Sequence, residues 1–347
     1  MRKLSFCFLI IFIYGCATVP YKSYKPPYKK VSFWELKDFC KKYKLKYNFD
    51  TIDDIVEITS PDVDMRLLLT SGLIYFNGRV FSIKSVPFYS QGKIFVPGEL
   101  ANFFSLKSKE AFRLLPLPIS IKTIVIDPGH GGKDPGAISR SGLKEKDVNL
   151  KVSRYLKSDL EAKGFKVYLT RDRDVYLTLK QRVELAKRYD ADLFISIHAN
   201  ANRSRKVRGF EVYYLSERYF DSESKALVMA ENASLGFEEN NLSKNTSRIV
   251  WDLICTENNA LSLEFANIVI STFKRMGFYT RLPRGAPFYV LKYAYIPSVL
   301  VEVGYLTNYN EEKLLRKSHY LKQVSKGIAI SIDLLNRRYA KFTSSSR

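Results

Sequence analysis

The sequence predicts an α/β fold: a sheet of largely parallel strands flanked by helices, preceded by a small α+β domain. From residue 122 onward, short β-branched runs alternate with amphipathic helical stretches, the rhythm of right-handed β-α-β crossovers. Before that point the rhythm differs, with one helical stretch followed by short apolar runs broken at turn signals. The chain has 347 residues, 46% of them apolar, enough for two sizeable cores.

In chain order, residues 1–15 read as a bacterial lipoprotein signal. Arg2 and Lys3 precede the apolar run LSFCFLIIFIY, which is too short for a comfortable spanning helix. Ile13-Tyr14-Gly15-Cys16 resembles a lipobox, with Cys16 as the lipidated first residue and Tyr14 where a small residue is usual. An uncleaved anchor would place the protein on the same side of the membrane. Residues 16–31 are rich in Tyr, Lys and Pro and read as an extended tether. The expected location is therefore outside the cytoplasm, lipid-anchored and facing periplasm or wall.

Residues 32–115 form the small α+β domain. VSFWELKDFCKKYKL has helical spacing; DIVEITS, MRLLLTSG, LIYF, RVFSI and GKIFVP read as strands, with Asn77-Gly78 as a hairpin signal. In rhythm the unit is loosely similar to the small domain at the front of some copper amine oxidases and many Gram-positive wall enzymes, without a copper motif. A spacer, a wall-binding module and a partner-docking surface remain open as its role. Residues 116–121, with Pro116 and Pro118, suit a linker.

The second domain, residues 122–337, runs TIVIDP (strand), 147–163 (helix closed by Gly164), KVYLT (strand), LTLKQRVELAKRYD (helix) and DLFISIH (strand). GFEVYYL, FYVLKYA and PSVLVEV read as further strands, and NEEKLLRKSHYLKQVSKGIAISIDLLNRR as a helix pair or bent helix. Residues 338–347 read as a frayed tail.

Formal net charge is +21, from 56 Lys+Arg against 35 Asp+Glu. For an exported chain this favours phospholipid head groups and acidic wall polymers over nucleic acid, with general lysine richness as the plainer account. Of four cysteines, Cys7 leaves with the signal and Cys16 is lipidated, so no disulfide framework is expected.

Two of the three histidines sit just past strand-like runs: His130 in IVIDPGHGGKDPG and His198 in DLFISIHAN. Strand exits are where ligands collect in α/β proteins. Glu145 in GLKEKDVNL and Glu302 in SVLVEVGYLTN complete the inventory of a hydrolytic zinc site: three ligands, an open water position and a base. Gly129, Gly131 and Gly132 allow a tight path around His130 and leave space for substrate. Asp127 and Asn200 are placed to orient the ligands, and Arg171 follows a strand as a possible substrate contact. His319, among charged residues, reads as a surface histidine.

IVIDPGHGGKDPGA, LKEKDVNL, TRDRD, FISIHAN and VLVEVGYLTN follow one another as in the zinc-dependent N-acetylmuramoyl-L-alanine amidases, and residues 121–337 resemble that family. The resemblance implies a mixed, mostly parallel sheet, Zn²⁺ held by His130, Glu145 and His198, Glu302 as catalytic acid/base, and peptidoglycan as substrate. In that family a regulatory helix, displaced by a protein activator, often lies in this part of the chain, and the helical insertion 216–275 has the length for one. Glu238 and Glu239 are candidates to reach the metal from it, with ordinary surface acids on a solvated helix pair as the favoured reading of those two. Two other classes stay open: a non-catalytic wall-binding or scaffolding lipoprotein, and a zinc endopeptidase acting within stem peptides.

Overall fold

The computed structural model of the chain describes residues 32–343, apart from 52–53, 70–72, 78, 84, 105–112, 116–120, 217–218 and 234–246. Cys16, Glu238 and Glu239 lie outside the described residues. Among the described residues no helix is long and apolar enough to cross a membrane.

The front unit opens with β1 (Phe33–Glu35) and α1 (Leu36–Tyr43). The strands β2 (Lys46–Asp50), β3 (Ile55–Ser60), β4 (Val63–Leu68), β5 (Leu73–Phe76) and β6 (Arg79–Ser82) then form an antiparallel meander. Asn77, at φ 47°, turns the β5–β6 hairpin, as the Asn-Gly pair predicts. Strands β7 (Phe88–Ser90) and β8 (Lys93–Pro97) pair with β1 in a three-stranded sheet, and β9 (Arg113–Leu115) closes the edge of the larger sheet beside β6. Cys40 is buried as a free thiol, and burial pushes its pKa up to about 12, so it behaves as a small hydrophobe.

The second unit contains β10 (Thr123–Pro128), α2 (Glu145–Glu161), β11 (Lys166–Leu169), α3 (Leu179–Arg188), β12 (Leu193–Asn200) and β13 (Glu211–Leu215). There follow α4 (Ser222–Glu231), α5 (Ser247–Arg275), β14 (Arg284–Ala286), α6 (Tyr289–Tyr293), β15 (Ser298–Tyr305), α7 (Tyr309–Leu315) and α8 (Ser318–Thr343). The sheet order is β11-β10-β12-β15-β13-β14, with only the β13–β15 pair antiparallel. This is the mixed, mostly parallel sheet that was expected. Its strands are buried on both faces, as covered parallel strands must be. Val299, Val301 and Val303 face α2, α5 and α8, while Leu300 packs with residues of α3, α4 and α6 on the opposite face.

Three expectations are corrected. FYVLKYA is not a strand: Tyr289–Tyr293 form the short helix α6, and the edge strand is Arg284–Ala286 just before it. A short apolar run has no period strong enough to separate the two states. The segment 216–275 is not one inserted unit, because Phe265, Ala266, Val269 and Phe273 of α5 are buried in the main core. Residues 338–343 do not fray. Helix α8 runs to Thr343, Tyr339 is fully buried, and Ile55, Leu68, Leu73 and Tyr75 of the front unit share its core cluster. Lys341 pairs with Asp50, and Arg338 lies 3.9 Å from Asp54, so the front unit docks on the end of this helix.

Candidate metal centre

Strand β10 ends at Pro128, and the chain turns through Gly129 into His130, which holds a left-handed φ of 59°. Such a backbone in a non-glycine residue is held only by its surroundings. Here Arg182 of α3 donates to Pro128 O (2.8 Å) and His130 O (2.9 Å), and Arg171 donates to Pro128 O and Gly129 O (both 2.9 Å). Helix α3 is itself fixed by a capping box between Thr178 and Gln181.

The glycines around His130 do not leave space for substrate. A Cβ on Gly129 would lie 2.3 Å from the His198 ring, and one on Gly131 would lie 2.2 Å from Val175 O. They let the protein close on itself, with the His198 imidazole seated against bare backbone. Gly129→Ala is therefore expected to displace that ring and weaken metal binding about 10–100-fold, measured by metal titration of the folded variant.

Glu145 is the first residue of α2, not part of a loop. Its Oε2 accepts the Ala137 N–H (2.9 Å), while Oε1 accepts the Ala199 N–H (3.1 Å) and faces both imidazoles. Burial opposes its ionisation, but His130 and His198 outweigh burial and hold its pKa well below the usual carboxylate range.

A fourth side chain joins these three. Glu231, the last residue of α4, reaches over the sheet. Its Oε2 lies 3.3 Å from His130 Nε2 and 3.2 Å from His198 Nδ1; Glu145 Oε1 lies 3.2 and 3.0 Å from the same two nitrogens. One ligand atom from each of the four residues falls within 4.8 Å of every other. A tetrahedron built on bonds of ~2.0–2.1 Å has edges of ~3.3 Å, so these spacings suit a small divalent cation. His130 Nε2 is buried without a hydrogen-bond partner, while Nδ1 is held by Asp134 Oδ2 at 2.8 Å. A carboxylate on one ring nitrogen fixes the tautomer and aims the other. Burial disfavours the charged form of His130, yet Glu145, Asp134 and Glu231 overcome it and raise its pKa, the mark of an acid-rich cluster suited to a cation.

Glu302 sits beside this group on β15, in register with His198 on β12 and Glu211 on β13. It is fully buried, and neither carboxyl oxygen has a hydrogen-bond partner. Burial first, then the nearby Glu145, Glu231 and Glu211, push its pKa well above the carboxylate range. A buried carboxyl kept from ionising beside a cation site has the character of a proton-transfer group.

The other residues singled out from the sequence lie one layer away. Asp127 accepts from Thr170, Arg182 and Ser196 (2.6–2.9 Å) and touches none of the four clustered side chains. Burial opposes its charge, but Arg182 and Thr170 keep its pKa low. Arg171 is buried, spends its donors on backbone carbonyls, and has its pKa lowered to about 10 by burial, so it braces loops instead of facing a substrate. Asn200 reaches Glu211 at 3.4 Å. His319 is exposed.

Residues 124–333 match the family model of the N-acetylmuramoyl-L-alanine amidases. The chain belongs to that family. Over 217 residues it is 36% identical to the N-acetylmuramoyl-L-alanine amidase AmiC of Escherichia coli O6:H1, covering 60% of this chain and 51% of that one. It is also 36% identical over 213 residues to AmiA of Escherichia coli K12, covering 60% and 74% of the two chains. The match thus spans about half the length of AmiC. Among solved structures, AmiC2 of Nostoc punctiforme aligns at 33% identity over 61% of this chain and 94% of that one, with a TM-score of 0.47.

Proposed function

We propose that the protein is a peptidoglycan hydrolase that cleaves the amide between the muramic acid lactyl group and L-alanine of the stem peptide. The juxtaposition of His130, Glu145 and His198 with the buried, unpartnered Glu302 carries this reading. The donor set, two imidazoles and a carboxylate at a sheet edge, is that of a catalytic zinc site. When bound, Zn²⁺ supplies Lewis acidity that polarises the scissile carbonyl and acidifies the attacking water. The chain supplies the rest. His130 and His198 are held in place to receive the cation, the first by Asp134 on its Nδ1. Glu302, whose carboxyl a bound cation would help to ionise, takes the water proton and hands it to the departing alanine amine. Cell-wall remodelling or daughter-cell separation is the process this reaction serves, and export with lipidation at Cys16 places the enzyme next to its polymer.

In this reading α4 is a strap over the site. Glu231 occupies the fourth position that the water needs, and the opening left beside it is about 30 Å³, room for about two waters and none for a glycopeptide. Among the described residues, the one on this segment that reaches the metal group is Glu231; Glu238 and Glu239 lie outside them. Displacement of α4 by a protein activator would open the cleft. Glu231→Ala should raise basal peptidoglycan release about ten-fold or more while keeping metal, read by dye release from labelled sacculi with and without chelator. Unchanged basal activity would reject the strap, and chelator-insensitive activity would reject the metal mechanism.

A further inference from the structure

We infer that Arg281 and Arg284 form a carboxylate subsite for the stem peptide, which α4 fills with its own acids while closed. This rests on the amidase reading above and adds the part of the substrate recognised away from the metal.

Helix α4 is clamped at two ends. At its carboxyl end Glu231 meets the metal group, and Asn232 accepts the Tyr289 N–H at 3.1 Å. At its amino end Glu223 lies 2.8 Å from Arg281 and 3.3 Å from Arg284, and Asp221 lies 3.5 Å from Arg284. Eight residues separate Glu223 from Glu231, ~12 Å along a helix. Metal group and arginine pair thus mark two ends of one covered track. Arg284 pairs in register with Tyr213 on β13, so it faces the same side of the sheet as Glu211 and Glu302, two strands out from β15. At ~4.8 Å per strand that is ~10 Å across the sheet, consistent with the helix spacing.

Charge makes the vacated site specific. With α4 in place, two guanidiniums face three carboxylates: Asp221, Glu223 and the fully buried Glu211, which Arg281 holds at 2.9 Å. When α4 leaves, only Glu211 stays, already satisfied by Tyr213 and Tyr305 at 2.8 Å each. Arg284 then loses its two nearest carboxylates and keeps Glu211 only at 3.9 Å. With α4 gone, the Arg284 guanidinium is uncovered and open to another carboxylate. A planar guanidinium favours a carboxylate held by two parallel hydrogen bonds. An extended peptide advances ~3.3–3.6 Å per residue, so ~12 Å places the subsite about three residues beyond the scissile amide. A free carboxylate on the third stem residue falls in that range. Glu231 on the metal group and Asp221 with Glu223 on the arginines thus imitate the substrate at both ends.

The test compares two synthetic muramoyl tripeptides that differ only in having the third-residue carboxylate free or converted to a carboxamide. Each is assayed with the full chain, unmodified and as Glu231→Ala. A preference of about ten-fold or more in kcat/KM for the free acid is expected, with Arg284→Gln bringing the acid-to-amide ratio down towards one. The ratio cancels any general gain from loosening α4. Arg284→Lys, which keeps the charge beside Glu211, should give an intermediate ratio and serves if the glutamine variant misfolds. Equal turnover of both peptides by the Glu231→Ala chain overturns the subsite and leaves the amidase reading standing. Turnover of neither peptide by any variant overturns both.

Discussion

Replacing His198 or His130 with alanine is expected to remove bound metal and hydrolysis together, with activity falling at least about 10³-fold. Each ring contributes the nitrogen that faces both Glu145 and Glu231, at 3.0–3.3 Å. Two remaining ligands of the proposed trio would rarely hold a catalytic cation. Glu231 complicates the measurement, because its carboxylate can stand in for a lost ligand while α4 is closed. Metal content should therefore be measured in a Glu231→Ala background, by elemental analysis after dialysis. A His198→Ala variant that retains stoichiometric metal there would contradict the ligand assignment.

Glu302→Gln separates proton transfer from metal binding. Hydrolysis should fall about 10²–10⁴-fold, the span typical of a lost general acid/base. Metal content should stay unchanged, since Glu302 lies outside the four-residue group. Stability should change in a defined direction as well. Both oxygens of Glu302 are buried without partners, and its pKa is raised well above that of an exposed glutamate. A carboxyl raised in the folded state destabilises the fold as pH rises from its unfolded pKa, ~4.3, through its folded pKa. Chelated wild-type protein should therefore lose stability across that window relative to chelated Glu302→Gln, measured by denaturant unfolding at several pH values. Full activity of the variant, or the opposite pH trend, would remove Glu302 from its role.

The sequence displayed the catalytic sheet and four of the five charged groups at the site because each sits in a strongly marked local context. His130 and His198 follow buried β-branched runs, and Glu302 lies inside one. Glu145 starts a helix whose apolar face is regular, which explains its firm position. Glu231 had no such signal. It ends a ten-residue helix of ordinary composition, and its meeting with the histidines depends on how α4 crosses the sheet. Only Asp221 as helix cap and the nearby Arg281 and Arg284 hint that the helix is tied down at its start. The glycines show a different limit. Sequence reveals that the loop around His130 needs bare backbone, but not whether protein or substrate fills the space. The His198 ring fills it at Gly129. The carboxyl end of α8 looked like a tail because polar residues follow, yet burial of Tyr339 is a tertiary event set by the docked front unit.

The most direct test of the central claim is digestion of purified sacculi by the Glu231→Ala chain, with mass analysis of the soluble products. The account predicts intact stem peptides with a free L-alanine amino terminus, lost on chelation and restored by Zn²⁺. Fragments cut within the stem peptide, or release that persists without metal, would contradict it.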